Sequence, residues 1–203
     1  MTLSAVAWAQ PGYGGGRPGY YSQQPSTTPG GFWDRGGGII WGIGLGVGNM
    51  TAGSGPIECV NCSYDPVAWE VEFHVGGMVS PRLAILGEFQ GNVQTLEVVA
   101  GGEGTKSLAQ IGLMLAAQYW ITPQLWVKGG LGFAHLAYNY DDAYQSQDEP
   151  IDDGAIVLGG IGYEILSGRN FAVDLQGRYI VGSYDGINDS VSSATIGFGI
   201  NWY

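Results

Sequence analysis

The chain has 203 residues, enough for one compact domain with a tail, and only 12% of them are charged, against about 25% in ordinary globular domains. Its net charge of −11 has the wrong sign for wholesale nucleic-acid binding, which excludes that class. No stretch approaches the roughly 18 to 20 uninterrupted apolar residues of a membrane-crossing helix.

Residues 1–9, "MTLSAVAWA", read as the remnant of a secretion signal. Ala7-Trp8-Ala9 fits the small-x-small cleavage pattern and would make Gln10 the mature start, while the basic leading segment of such a signal is missing. Residues 10–36 are rich in Gly, Pro, Tyr, Ser and Gln and have no hydrophobic period. Such a composition cannot bury enough apolar surface to offset its ordering entropy, so it reads as a disordered, flexible tether.

From residue 37 the period becomes two. "GGIIWGIGLGVGN" sets Ile39, Trp41, Ile43, Leu45 and Val47 against glycines, with no helix pattern after them, so a phosphate-binding glycine loop is rejected in favour of a strand. The alternation recurs seven times. "AWEVEFHVGGMV" opposes Trp69, Val71 and Phe73 to Glu70, Glu72 and His74; "LAILGEFQGNV" opposes Ile85 and Phe89 to Glu88 and Gln90. "LAQIGLMLAAQYWI", "LWVKGGLGFAHL", "AIVLGGIGYEI", "FAVDLQGRYIV" and the closing "TIGFGINWY" continue it. These are eight strands of roughly 10 to 13 residues, where a tilted membrane strand needs about 9 to 11. Pro- or Gly-containing turns follow the second, fourth and sixth strands ("SPR", "TPQ", "SGRN"). Long polar loops, about 49–67, 94–107, 137–153 and 184–190, follow the odd-numbered ones. Short turns at one end and long loops at the other are the asymmetry of outer-membrane barrels.

A soluble barrel and a transmembrane barrel share this alternation and differ in which face is inside. The polar face here is largely glycine, alanine and glutamine with few charges, too small for a solvated surface and suited to a narrow interior. The other face carries bulky aliphatics with rings towards the strand ends. Trp41, Tyr119, Tyr163, Phe171 and Trp202 fall at the short-turn side, Trp69 and Tyr179 towards the other, as two interfacial girdles would require. The fold class expected is all-β: an eight-stranded antiparallel up-and-down transmembrane β-barrel over 37–203 with a disordered N-terminal tail. Lipid on one face and ring closure of the last strand on the first would explain so apolar a C-terminus.

On "SPRLAILGEFQG", "YWITPQLWVKGGLGFA", "GGIGYEI" and the aromatic ending, residues 38–203 resemble the small eight-stranded outer-membrane proteins: the membrane domain of OmpA, OmpW and the opacity-type proteins. The resemblance implies a Gram-negative outer membrane, with the tail in the periplasm and the long loops outside. It also implies contact with membrane lipid and lipopolysaccharide, and a C-terminal signal read by the barrel-assembly machinery. The alternation departs from that signal by putting Trp202, not the terminal Tyr203, in phase with the lipid face.

Eight residues are candidates for an interior charge network: Glu70, Glu72, His74, Glu88, Lys128, Glu164, Asp174 and Arg178. Counted from the short turns, Lys128, Glu164 and Asp174 share a depth. A Lys128–Glu164 or an Arg178–Glu88 contact could then gate a narrow cation-preferring path; alternatively the network plugs the barrel. The loop after the fifth strand carries Asp141, Asp142, Asp148, Glu149, Asp152 and Asp153 without a base. It reads as solvated charge or a cation-binding or adhesive loop, but matches no EF-hand spacing. Twelve of the eighteen acids lie in the four long loops. Cys59 and Cys62 are expected to form a small disulfide in an oxidising compartment. His74 and His135 show no triad spacing, so no enzyme, resident metal or cofactor is expected. The sequence favours a scaffold with a plugged lumen and a structural or surface-interaction role through its long acidic loops, with a surface ligand or a neighbouring envelope protein as partner; a narrow cation-preferring pore or small-molecule conduit is second and a soluble ligand-binding barrel third.

Overall fold

The computed structural model describes residues 38–53, 55–57, 67–98, 104–142, 146–168, 170–185 and 189–203, with backbone alone for the strand residues among 140–150. The tail, the signal remnant and Cys59 and Cys62 lie outside the described residues.

Eight antiparallel strands run in chain order around a closed ring: β1 Ile39–Ala52, β2 Ala68–Ser80, β3 Leu83–Val98, β4 Gly104–Trp120, β5 Leu125–Asp142, β6 Ser146–Ser167, β7 Phe171–Tyr184 and β8 Val191–Trp202. Each pairs with its chain neighbours, and β8 closes on β1 from Trp41↔Trp202 to Ala52↔Val191, so the sheet has no open edge there. A two-residue strand, Gly55–Pro56, folds back on the end of β1. The period-two pattern is realised residue by residue: in β1 the exposed Ile39, Trp41, Ile43 and Leu45 alternate with buried positions.

Two boundaries differ from the sequence reading. The strands are 12 to 22 residues long, not 10 to 13. The stretches 94–107 and 137–153 are largely paired strand, since β3–β4 pairing continues to Val98↔Thr105 and β5–β6 pairing to Asp141↔Ser146. Backbone hydrogen bonding to a neighbouring strand outweighs the polar composition of these segments, and a register shift at Leu136/Ala137 accommodates the acidic run. One wall of the barrel, β3 to β6, therefore stands above the rest, because β7 ends at Tyr184 opposite Gly154.

The outward face is apolar. Leu45 is 64% exposed, Leu113 65% and Phe133 81%. Inside, an apolar cluster at the long-loop end contains Met50, Leu108, Leu136, Ile156, Ile180 and Val191. A second at the short-turn end contains Ile40, Leu86, Trp120 and Trp126, with Tyr203 packed on it. Between them lie Glu70, Glu72, Glu88, Lys128 and Arg178, while other buried polar side chains are interspersed with both clusters.

Candidate functional site

The interior layer is built by alternation. Glu70, Glu72 and His74 on β2, Glu88 on β3, Lys128 on β5, Glu164 on β6, and Asp174 and Arg178 on β7 all point inward and are buried. Glycines on facing strands make the room. A Cβ on Gly42 would stand 2.6 Å from the His74 ring, and one on Gly162 would collide with the Trp126 indole.

Arg178 is the hub. Its Nε lies 2.5 Å from Glu70 Oε1, its Nη1 contacts Glu72 Oε2 and its Nη2 contacts Glu88 Oε1, with Gln90 Oε1 accepting a further bond at 3.2 Å. Lys128 Nζ sits 2.9 Å from Glu88 Oε2 and 3.5 Å from Glu72 Oε2. Gln176 donates to Glu72 at 3.1 Å and the Thr195 hydroxyl to Glu70. Three carboxylates thus share two fixed cations, a planar guanidinium fork and an ammonium, in a water-poor interior where unpaired charge is costly.

The structure brings Arg178 and Glu88 together but not Lys128 and Glu164. Counting from the turns misleads because β5 and β6 are staggered: Lys128 pairs with Gly160, and Glu164 lies level with Gln124, beyond the start of β5. Glu164 instead accepts from Trp120 Nε1 (2.8 Å), the Tyr203 hydroxyl (2.9 Å) and the Ser167 hydroxyl (2.7 Å). Asp174 accepts from Asn201 at 2.7 Å and Trp126 Nε1 at 3.3 Å. These two acids belong to the short-turn layer, held by neutral donors, while Lys128 reaches inward past the Trp126 ring, 5.4 Å from its centroid.

Glu72, His74 and Glu88 offer ligand atoms within 4.8 Å of one another, a set able to hold a divalent ion. Lys128 and Arg178 already occupy those carboxylates, so the place of a cation is filled by the chain's own side chains. His74 lies 3.6 Å from Glu72 through Nδ1. The space beside Gly44, Glu70, Gln176 and Arg178 is too small for a water molecule.

Several residues of the interior were not singled out in the sequence: Trp120, Trp126, Tyr184 and Asn201. Each is two residues from a position on the glycine-and-polar face (Gln118, Lys128, Gly182, Gly199), and that phase is the signal that could have found them. Tyr184 accepts from Gln110 at 2.7 Å, and Asn92 donates to Ser193 at the same distance, extending the polar lattice towards the long-loop end.

On the outside, Trp41, Trp69, Tyr119, Tyr163 and Phe171 are exposed towards strand ends, and Tyr179 is exposed in the middle of β7. Trp202 stacks on Trp41 across the closing seam, centroids 4.1 Å apart and planes 8° off parallel. Of the acidic loop, Asp141, Asp142, Asp148 and Glu149 fall on strand backbone whose side chains are not described. Asp152 and Asp153 are described, and Asp153 Oδ1 lies 2.8 Å from His135 Nδ1. At the same rim Lys106 pairs with Glu97 at 2.6 Å.

No family model and no curated protein matches the chain. Among solved structures it is similar to Ail, the attachment invasion locus protein of Yersinia pestis, crystallised with the heparin analogue sucrose octasulfate, at 14% identity and a TM-score of 0.53 over 80% of this chain and 98% of that one. It is also similar to Neisserial surface protein A, at 12% identity and a TM-score of 0.52 over 81% of this chain and 95% of that one. At these identities the likeness establishes the fold, a closed eight-stranded barrel.

Proposed function

We propose that this chain, which shares the closed eight-stranded barrel of small outer-membrane proteins, spans a bacterial outer membrane as a sealed scaffold and acts through its long-loop rim. The observation that carries the reading is the inversion of the usual order of polarity. Large aliphatic and aromatic side chains cover the outside, while glutamates, an arginine and a lysine are buried within. A soluble protein rarely exposes more than a few hundred Å² of contiguous apolar surface; lipid is the solvent that such an outside fits. The layering supports a seal: an apolar cluster stands at each end, with a paired charge network between them. Work then falls to the rim, where the wall of β3 to β6 stands highest and the acidic residues concentrate, favouring partners with basic rather than polyanionic surfaces.

The test is conductance of residues 10–203 refolded in detergent and inserted into a planar bilayer. Insertion without current steps is expected. Steady cation-selective steps altered by Lys128→Ala or Glu88→Gln would replace the scaffold with a narrow pore, and a protein that stays in water without detergent would overturn the membrane reading.

A further inference from the structure

The outer wall of β3 to β7 carries a groove of about 670 Å³ at the upper margin of the apolar belt. Phe89, Ile111, Leu113 and Phe133 line it, and the small Ala155 sits directly across from Phe133 in the register. At its upper end the surface turns polar within one residue step, because Phe133 and Ala155 are followed on their strands by His135 and preceded by Asp153. Asp185, the residue after β7, completes that end.

The polar end is rich in acceptors. Asp153 is a carboxylate and can only accept, so His135 Nδ1, 2.8 Å away, carries the proton of that contact. In the neutral ring this leaves Nε2 as an acceptor. The other oxygen of Asp153 and both oxygens of the exposed Asp185 are acceptors too. An alkyl-lined groove ending in acceptors and negative charge is complementary to an alkyl chain ending in a group that is positive and only donates. A primary ammonium, with three N–H donors and no acceptor, meets both requirements; a trimethylammonium meets only the charge.

We propose that this groove is a lipid site selective for a primary ammonium head group, with the alkyl chain along Leu113 and Phe133 and the ammonium between His135, Asp153 and Asp185. The site rests on the reading of the chain as a membrane barrel, since only there do alkyl chains reach the groove.

Lipid discs containing equal parts of phosphatidylethanolamine, phosphatidylcholine and phosphatidylglycerol with identical chains provide the test, the lipids retained on the released barrel being counted by native mass spectrometry. The wild-type chain should retain phosphatidylethanolamine over phosphatidylcholine by about tenfold, the ratio that one charge-assisted hydrogen bond supplies. Asp153→Asn with Asp185→Asn should abolish the preference, and Asp185→Asn alone should reduce it. Asp189→Asn, which removes a rim carboxylate beside Gly53 and outside the groove, should leave it intact. Equal retention of the two lipids by the wild-type chain, or a preference that survives the double substitution, overturns the site while the membrane reading stands. A chain that does not enter the discs overturns both.

Discussion

Arg178 touches three glutamates on two other strands, and its removal would leave Lys128 in contact with Glu72 and Glu88 and leave Glu70 without its cation. Breaking such a network from one side typically costs about 3–5 kcal/mol, because the remaining charges stay desolvated. Arg178→Met should therefore lower unfolding stability in detergent by that amount, read from the urea midpoint. Lys106→Met removes a pair that is a third exposed, and it should cost under about 1 kcal/mol. Equal effects would show that the interior network carries no special weight. A variant that also converts Glu70, Glu72 and Glu88 to glutamine should recover most of the loss, since neutral partners incur far less desolvation. The eight inward charges were legible from alternation, but their partners were not. Contact between Arg178 and Glu70 crosses a sequence distance of over a hundred residues and depends on barrel stagger, which no local pattern encodes. Trp120 and Trp126 escaped notice for a different reason: an indole is as much at home facing lipid as facing a barrel interior, and only its phase beside Gln118 and Lys128 separates the two.

At the scale of elements, the strand cores were readable because one face is uniformly apolar, so a one-residue slip would put carboxylates into the apolar surround. The strand ends were not, because beyond the apolar belt both faces are polar and period two disappears. The pair β5–β6 shows this best, continuing through Tyr138, Asn139 and Tyr140 opposite Glu149, Asp148 and Gln147. Pairing there makes a measurable difference from a loop. Amide exchange in a lipid disc should be slow at 137–142, where β5 has β4 on one side and β6 on the other, and fast at 189–190, just before β8. Equal fast exchange at both places would return 137–153 to a loop. The seam makes a second prediction. Trp41 and Trp202 stack across the one pairing that joins the two ends of the barrel sequence, where an offset or stacked aromatic pair adds about 0.5–1.5 kcal/mol beyond its area. Trp41→Leu keeps an apolar surface towards lipid and removes the stack, so it should speed unfolding in urea more than Leu113→Val, which lies between Phe89 and Phe133 away from the seam. Equal unfolding rates would deny the stack a part in closure.

For the whole molecule, the sealed reading makes the interior a series of barriers, and barriers in series are removed only together. The short-turn layer is apolar packing around Trp120 and Trp126 with Tyr203 folded in over Glu164. The middle layer is Arg178 with its glutamates, and the long-loop layer is Leu136, Ile156, Ile180 and their neighbours. On that reading, opening one layer would leave two that still exclude a hydrated ion. Trp120→Ala with Trp126→Ala should therefore insert and remain electrically silent, as should Leu136→Ala with Ile156→Ala. Arg178→Met should be silent as well, because both apolar layers survive it. Current steps are expected only when the two apolar pairs are combined with loss of Arg178, and the steps should then favour cations, since Glu70, Glu72 and Glu88 would line the opening. Conductance from the tryptophan pair alone would mean that the charged layer already passes ions, and the molecule would be a pore with a single aromatic cork instead of a scaffold closed at three levels.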